Sequence, residues 1–462
     1  VEQQPGEMLE ETLEAIRSAV QSAGRVQVQA LALDGQMAGL MGIDQEWEAT
    51  THYDSWLDTR CSDQVAAMSR HRQEVIRLSG SAPGFFFGPK LLWWKEARPE
   101  VYARTAKFIE PAAFIAGKLA GLKGEEAYID QTYIHFTNLA DNKNKRWAES
   151  ILSLFGIDPD KLPRIVSPTE VIGGLTRSWV KRTGLPEGLP IAAGCGDTAA
   201  GLLGAGLVRP GEAVDTAGTA SVLTFCSGEF RADDRRETLL SCRSVIDGLW
   251  YSLAYINGGG LCIDWFAREL GGGDQKAALK RLEEAAARVP AGSEGLIFCP
   301  HFAGRNFPYQ PDLRGSWTGL TWNHRPEHLY RSILEGIALE YRHYLNAFTD
   351  LYPDLETRTL RIIGGGASSA LFCQIKADCL NLPCATLEEQ EFGTLGSALV
   401  AAAAVGQIDD LAGLVRKLAR ERRSFRPEPK RVEAYKHLFR EYRTTIAGLI
   451  DIFRQRASGQ EG

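Results

Sequence analysis

The chain has 462 residues, of which 44% are hydrophobic and 24% charged, and 52 Lys+Arg against 58 Asp+Glu leave a formal net charge of −6. Such a length supports two or three domains around a large core, and the composition excludes both a mini-protein and wholesale disorder. The mild acidity excludes a global field that would draw the chain onto nucleic acid or an anionic membrane, so the expected partner is a small molecule.

In chain order, Leu9, Leu13, Ile16 and Val20 recur at helical spacing and predict an amphipathic helix over 7–23, stopped by Gly24. Val26 to Leu33 alternates and then turns apolar, as a strand entering a sheet does, and Asp34-Gly35-Gln36-Met37-Ala38-Gly39 breaks it. The same strand, glycine loop and helix return at Leu189 to Leu207 around Gly194-Cys195-Gly196-Asp197, and again at Thr359 to Leu380 around Gly364-Gly365-Gly366-Ala367. This grammar predicts an α/β protein whose loops gather at strand ends, where ligands bind. A Pro-Gly break from Arg209 to Glu212, followed by a new strand, places a domain seam after Val208 and divides the chain into 1–208 and 209–462. The basic run from Arg416 to Arg431 reads as a solvated helix face. Phe392 to Ile408, the longest uncharged run, is too short and too diluted by Gly, Thr, Ser and Gln for a membrane span. Nine cysteines without a CxxC pair support neither a disulfide framework nor a zinc ribbon, and they read as reduced packing residues of a cytoplasmic protein. No histidine spacing indicates a metal site, and a homodimer is compatible with everything above.

Three loops could carry chemistry. Gly194-Cys195-Gly196-Asp197-Thr198-Ala199 matches GxGxxA after a strand, with Asp215 where a ribose-binding acid of a dinucleotide fold would lie. Against that reading, Asp197 is a carboxylate where a pyrophosphate must approach, and a helix dipole that holds it ionised suits a base. A plain N-cap role for Asp197 stays open at this point. Asp215-Thr216-Ala217-Gly218-Thr219 offers free N–H groups and hydroxyls for phosphate oxygens, and Gly364-Gly365-Gly366 offers a bare backbone on which a flat ring could lie. The set fits phosphoryl transfer from a nucleotide to a hydroxyl.

On Gly35-Gln36-Met37, Trp56-Leu57-Asp58-Thr59-Arg60, Pro89-Lys90-Leu91-Leu92-Trp93, Gly196 to Gly201, Gly218-Thr219, Leu334-Glu335-Gly336, Gly364 to Ala367 and Ala377-Asp378, nearly the whole chain resembles the FGGY family of carbohydrate kinases, above all its xylulokinase-type members. The resemblance implies two actin-like (ribonuclease H-like) ATPase domains with an interdomain cleft, and phosphorylation of a small sugar, a ketopentose such as xylulose, by ATP. It implies Asp197 as the catalytic base, with Gln36, Met37, Trp56, Asp58, Asp130 and Thr198 toward the sugar. Gly218 and Thr219 would meet the ATP phosphates, Gly365, Gly366 and Ala367 the adenosine, and Mg2+ would arrive with the nucleotide rather than in a protein cage.

Two departures qualify the resemblance. Ala38 stands where the xylulokinase-type loop continues with His, which removes one donor to the sugar. Family members also open with a strand hairpin bearing an Asp-x-Gly-Thr phosphate loop upstream of the helix that begins this chain, so the sequence is expected to be missing its own beginning. The competing readings are an NAD-dependent oxidoreductase built on Gly194 to Ala199 with Asp215, and a catalytically silent sugar-binding protein.

Overall fold

The computed structural model describes residues 2–458. The first helix, α1 (Pro5–Ala23), starts on a proline, whose missing N–H costs nothing in a first turn, and ends at Gly24 with φ of 70°. It buries Leu9 and Leu13. The segment after it is extended, yet only a bridge from Leu31 to Ile191 and the strand β1 (Asp34–Gly35) find partners. The first half of the chain is otherwise built on short two-stranded pairs. β2 (Met41–Ile43) lies antiparallel to β3 (Lys107–Ile109), which leads into α2 (Pro111–Ala120). β4 (Tyr128–Asp130) runs parallel to β5 (Arg164–Val166). β6 (Cys195–Gly196) runs parallel to β1, with Cys195 opposite Asp34 and Gly196 opposite Gly35. Because these strands end in step, Gln36 and Asp197 leave the ladder side by side. Asp197 opens α3 (Asp197–Gly204).

The second half rests on one seven-stranded sheet. Its strands in chain order are β7 (Glu212–Ala217), β8 (Ser221–Ser227), β9 (Leu240–Arg243), β10 (Trp250–Ile256), β11 (Thr359–Ile363), β12 (Cys384–Leu387) and β13 (Glu421–Phe425). In space the order is β9-β10-β8-β7-β11-β12-β13, with β7, β11 and β12 mutually parallel and the remaining pairs antiparallel. Thr216 of β7 faces Ile363 of β11, so the loops at Gly218 and Gly364 also emerge together. The long helix α4 (Pro326–Leu351) covers this sheet and anchors the largest apolar cluster, through Ile333, Ile337, Tyr341 and Phe348.

Two further helices, α5 (Ala370–Leu380) and α6 (Phe392–Ala404), follow β11 and β12. α6 packs on α3 so closely that a Cβ at Gly204 would strike the Phe392 backbone and one at Gly396 the Ala200 backbone. These two glycines let the halves meet directly behind the Asp197 turn.

The basic run does not form one helix face. Its centre is β13, the edge strand of the sheet, where Arg422 is exposed and Arg423 donates to the carbonyls of Ala367 and Ser368. All nine cysteines are free and buried. No helix among the described residues is long and apolar enough to cross a membrane.

Candidate active site

The Asp197 turn is assembled from groups far apart in sequence. Gly196, not Asp197, is the N-cap of α3, and the Asp197 carboxylate occupies the first helical position. Its Oδ1 accepts from the Thr198 backbone N at 2.5 Å and from Thr198 Oγ1 at 3.1 Å. The residue keeps a face open to solvent while densely surrounded on its other sides. Burial raises its pKa to about 6, against the lowering effect of the two Thr198 bonds and with a further push from the charge of Asp34. An accessible carboxylate tuned to this range is ionised at neutral pH and basic enough to take a proton from a hydroxyl.

Its supports are buried. Asp130 Oδ1 accepts from Thr132 N at 2.8 Å and Thr132 Oγ1 at 2.6 Å, and Thr132 Oγ1 in turn accepts from Gly196 N at 3.0 Å. Asp130 is 3% exposed, and burial raises its pKa to about 7. Asp130 Oδ1 is thus turned to Thr132, which links this carboxylate to the Gly196 backbone. Met37 packs on the other side, where a Cβ at Gly196 would lie 2.5 Å from its Sδ. Asp34 Oδ2 accepts from Ser397 Oγ of α6, tying the turn to the second half of the chain.

Gln36 is held by its backbone and leaves its amide half-buried, since Tyr133 OH donates to Gly35 O at 2.9 Å and Tyr53 OH to Gln36 O at 3.5 Å. Lys90 Nζ donates to the carbonyls of Phe85 and Ala38. The sequence assigns no role to Tyr53 or Tyr133, since a lone tyrosine carries no motif, and none to Lys90 beyond its place in the Pro89-Lys90-Leu91-Leu92-Trp93 run. Trp56 is half-exposed, while Asp58 is buried against Arg60, whose Nε lies 3.0 Å from both carboxylate oxygens. Burial alone would raise the Asp58 pKa, but the Arg60 hydrogen bonds prevail and hold it at about 2. Arg60 also reaches Asp54 and Glu2, so the structure ties Asp58 into a charge cluster.

The nucleotide-type loops come together as their strands predict. Gly218 N donates to Thr216 O at 3.0 Å and Ala220 O at 3.1 Å, and Thr219 is exposed at the tip. Gly364 has φ of 79°, and a Cβ there would lie 2.9 Å from Ala217 O. At Gly366 a Cβ would lie 2.6 Å from that of Ala217, whereas at Gly365 it would meet only Ala217 O, at 4.0 Å. Gly364 and Gly366 thus allow the close approach, and Gly365 offers an open face. Ala367 O accepts from Arg423. The sequence reading missed Gly258-Gly259-Gly260, where Gly260 N donates to Thr219 O at 3.1 Å and a helix begins.

Asp215, the residue the dinucleotide reading requires, is fully buried. It accepts from Tyr341 OH at 2.6 Å and is paired with Lys376. It cannot reach a ribose, and that reading falls.

Residues 1–204 match the N-terminal domain of the FGGY family of carbohydrate kinases, and residues 216–405 match its C-terminal domain. The chain belongs to the FGGY family of carbohydrate kinases. It is 28% identical to the xylulose kinase of Bacillus subtilis (strain 168) across 98% of this chain and 89% of that one. It is 26% identical to the gluconokinase of the same organism across 88% of this chain and 80% of that one. The crystal structure of xylulose kinase from Rhodospirillum rubrum superposes with a TM-score of 0.88 at 25% identity, covering 98% of this chain and 91% of that one. The protein therefore has the two-domain, actin-like FGGY fold and is a phosphotransferase acting on a sugar.

Proposed function

We propose that this FGGY kinase transfers the γ-phosphoryl group of ATP to a hydroxyl of a neutral ketopentose such as xylulose, with Asp197 as the base. The observation that carries the reading is the Asp197 turn: a solvent-accessible carboxylate with a pKa near 6, set at the end of paired strands where the two halves of the chain meet. The sugar hydroxyl attacks phosphorus, the bond to the ADP oxygen breaks, and the hydroxyl proton passes to Asp197 Oδ2, since Oδ1 already accepts twice. Gln36, Met37, Trp56, Asp58 and Thr198 would meet the sugar. Gly218, Thr219 and the Gly365-Gly366-Ala367 turn would hold the nucleotide, along with Gly260.

Among the described residues no group of three or more His, Cys, Asp or Glu could hold a metal. An Mg2+ carried on phosphates needs only one or two carboxylates, and Asp34 and Asp197 would be the acids to meet it. The ion would supply neutralisation of phosphate charge. A neutral sugar is favoured over a sugar acid such as gluconate because the charges of Asp34 and Asp197 lie at this turn, while Lys90 is turned to backbone carbonyls. The name of the first relative supports xylulose, and the gluconokinase relative makes the sugar acid the competitor to test.

The test is sugar-dependent ADP release with ATP-Mg2+ and a panel of pentuloses, hexuloses, polyols and gluconate. A ketopentose should give the highest kcat/KM and gluconate one at least roughly 100-fold lower, a difference of about 2.7 kcal/mol in transition-state binding. Preference for gluconate would overturn the substrate assignment, and the absence of turnover with every sugar would overturn the reading as a whole.

A further inference from the structure

Glu110 is the one buried carboxylate near the site to which the structure gives no hydrogen-bond partner. It follows β3 and sits at the N-cap of α2, yet its side chain makes no capping bond. The residue is 1% exposed, and neither Oε1 nor Oε2 has a hydrogen-bond partner among the described residues. A native fold seldom leaves such a group unpaired without a reason, and a ligand that supplies the missing partner is one such reason.

Its surroundings locate that ligand. α2 packs its Ala112 against Gly35, where an added Cβ would come within 2.9 Å of the Ala112 Cβ, and Gly35 leads straight into Gln36 and Met37. Glu110 lies within electrostatic reach of Asp130, Lys90 and Asp197, and its charge is felt by Tyr53 and Tyr133. Each of these neighbours except Asp197 is already directed to protein: Tyr133 to Gly35 O, Tyr53 to Gln36 O, Lys90 to the carbonyls of Phe85 and Ala38, Asp130 to Thr132. Of the carboxylates in this set, Glu110 is the one with neither oxygen engaged among the described residues.

Resting on the sugar-kinase reading above, we propose that the Glu110 carboxyl group hydrogen-bonds a hydroxyl of the sugar remote from the one that is phosphorylated, making Glu110 a specificity-determining residue of the sugar site. Burial, reinforced by the charge of Asp130, raises its pKa well above the ordinary carboxylate range. In its neutral form the group has one O–H donor and acceptor oxygens, a match for a hydroxyl that both gives and takes a hydrogen bond. A group in that state has no charge with which to draw in an amine.

The test uses the whole protein with the best ketopentose, a set of its monodeoxy analogues, and the variants Glu110→Gln and Glu110→Ala. In the unaltered protein, one deoxy analogue should lose roughly 10-fold or more in kcat/KM, because its absence leaves Glu110 unpaired. In Glu110→Ala the parent sugar should show KM raised about 10-fold with kcat within about threefold, and that same deoxy analogue should then be used as well as the parent. Glu110→Gln keeps shape and hydrogen bonding, so it should recover part of the parent KM, and it carries the test if Glu110→Ala fails to fold. A penalty that falls equally on all sugars, or a deoxy profile unchanged in both variants, would overturn the assignment. Calorimetric sugar binding by the unaltered protein separates the two levels: no binding and no turnover with any sugar removes the kinase reading and this assignment with it, whereas binding and turnover with an unchanged deoxy profile removes only the role of Glu110.

Discussion

Both halves of the chain present their working loops by the same device, a pair of parallel strands that end in step: β1 and β6 deliver Gln36 beside Asp197, and β7 and β11 deliver Gly218 beside Gly364. They differ in what braces those loops. On the sugar side the turn is held by side chains, with Asp130 and Thr132 behind Gly196, Tyr133 on Gly35, Lys90 on Ala38 and Ser397 on Asp34. On the proposed nucleotide side it is the absence of side chains that matters, at Gly364 and Gly366 against Ala217 and at Gly260 against the Gly218 carbonyl. Side chains can be exchanged to suit one sugar or another, while bare backbone suits an invariant nucleotide. Substrate choice can thus change in this fold without disturbing the phosphoryl donor site.

Several substitutions would break or sharpen that contrast. The largest effect is expected from Asp197→Asn, which removes the proposed base and leaves the turn in place: kcat should fall about 10²–10⁴-fold with little change in the KM for ATP. On the other side, Lys376→Met would strand the buried Asp215 carboxylate in the sheet core, and breaking such a pair should cost about 3–5 kcal/mol in chemical denaturation. Gly364→Ala should cost about 1–2 kcal/mol because it forces an L side chain into a left-handed backbone against Ala217 O. Its signature would be a raised KM for ATP with an unaltered affinity for sugar. If Gly364→Ala instead altered sugar selectivity, the division between the two sides would be wrong.

The smallest effect concerns pH. As the proposed base Asp197 would act in its ionised form, and its pKa is raised to about 6, so kcat/KM should be full above that value and lost as pH falls through about 6. Asp34 contributes to that rise, so Asp34→Asn should shift the acid limb to lower pH. An acid limb that stays put would show that burial alone sets it.

The sequence made the loops legible because strand, glycine and helix signals are local: Asp197, Gly218 and the Gly364 turn could each be placed at a strand end before any pairing was known. What bears on those loops from a distance could not be read. Asp130 sits in a plausible sugar-facing motif, and only the fold reveals that it reaches Gly196 through Thr132. The basic run from Arg416 to Arg431 has the composition of a solvated helix, yet pairing with Cys384–Leu387 makes its centre an edge strand. Gly258 to Gly260 carried no adjacent motif, since their use depends on the Thr219 hairpin tip arriving from another part of the sheet. Glu110 shows no signal at all, because being unpartnered is a property of the folded chain.

The central claim is that Asp197 takes the proton of a sugar hydroxyl as that hydroxyl accepts the γ-phosphoryl group. The most direct measurement follows γ-labelled ATP in a single turnover with xylulose, in the unaltered protein and in Asp197→Asn. The account predicts labelled sugar phosphate from the first and unreacted, still-bound ATP in the second. Equal labelling of the sugar by both proteins, or label found only in inorganic phosphate, would contradict it.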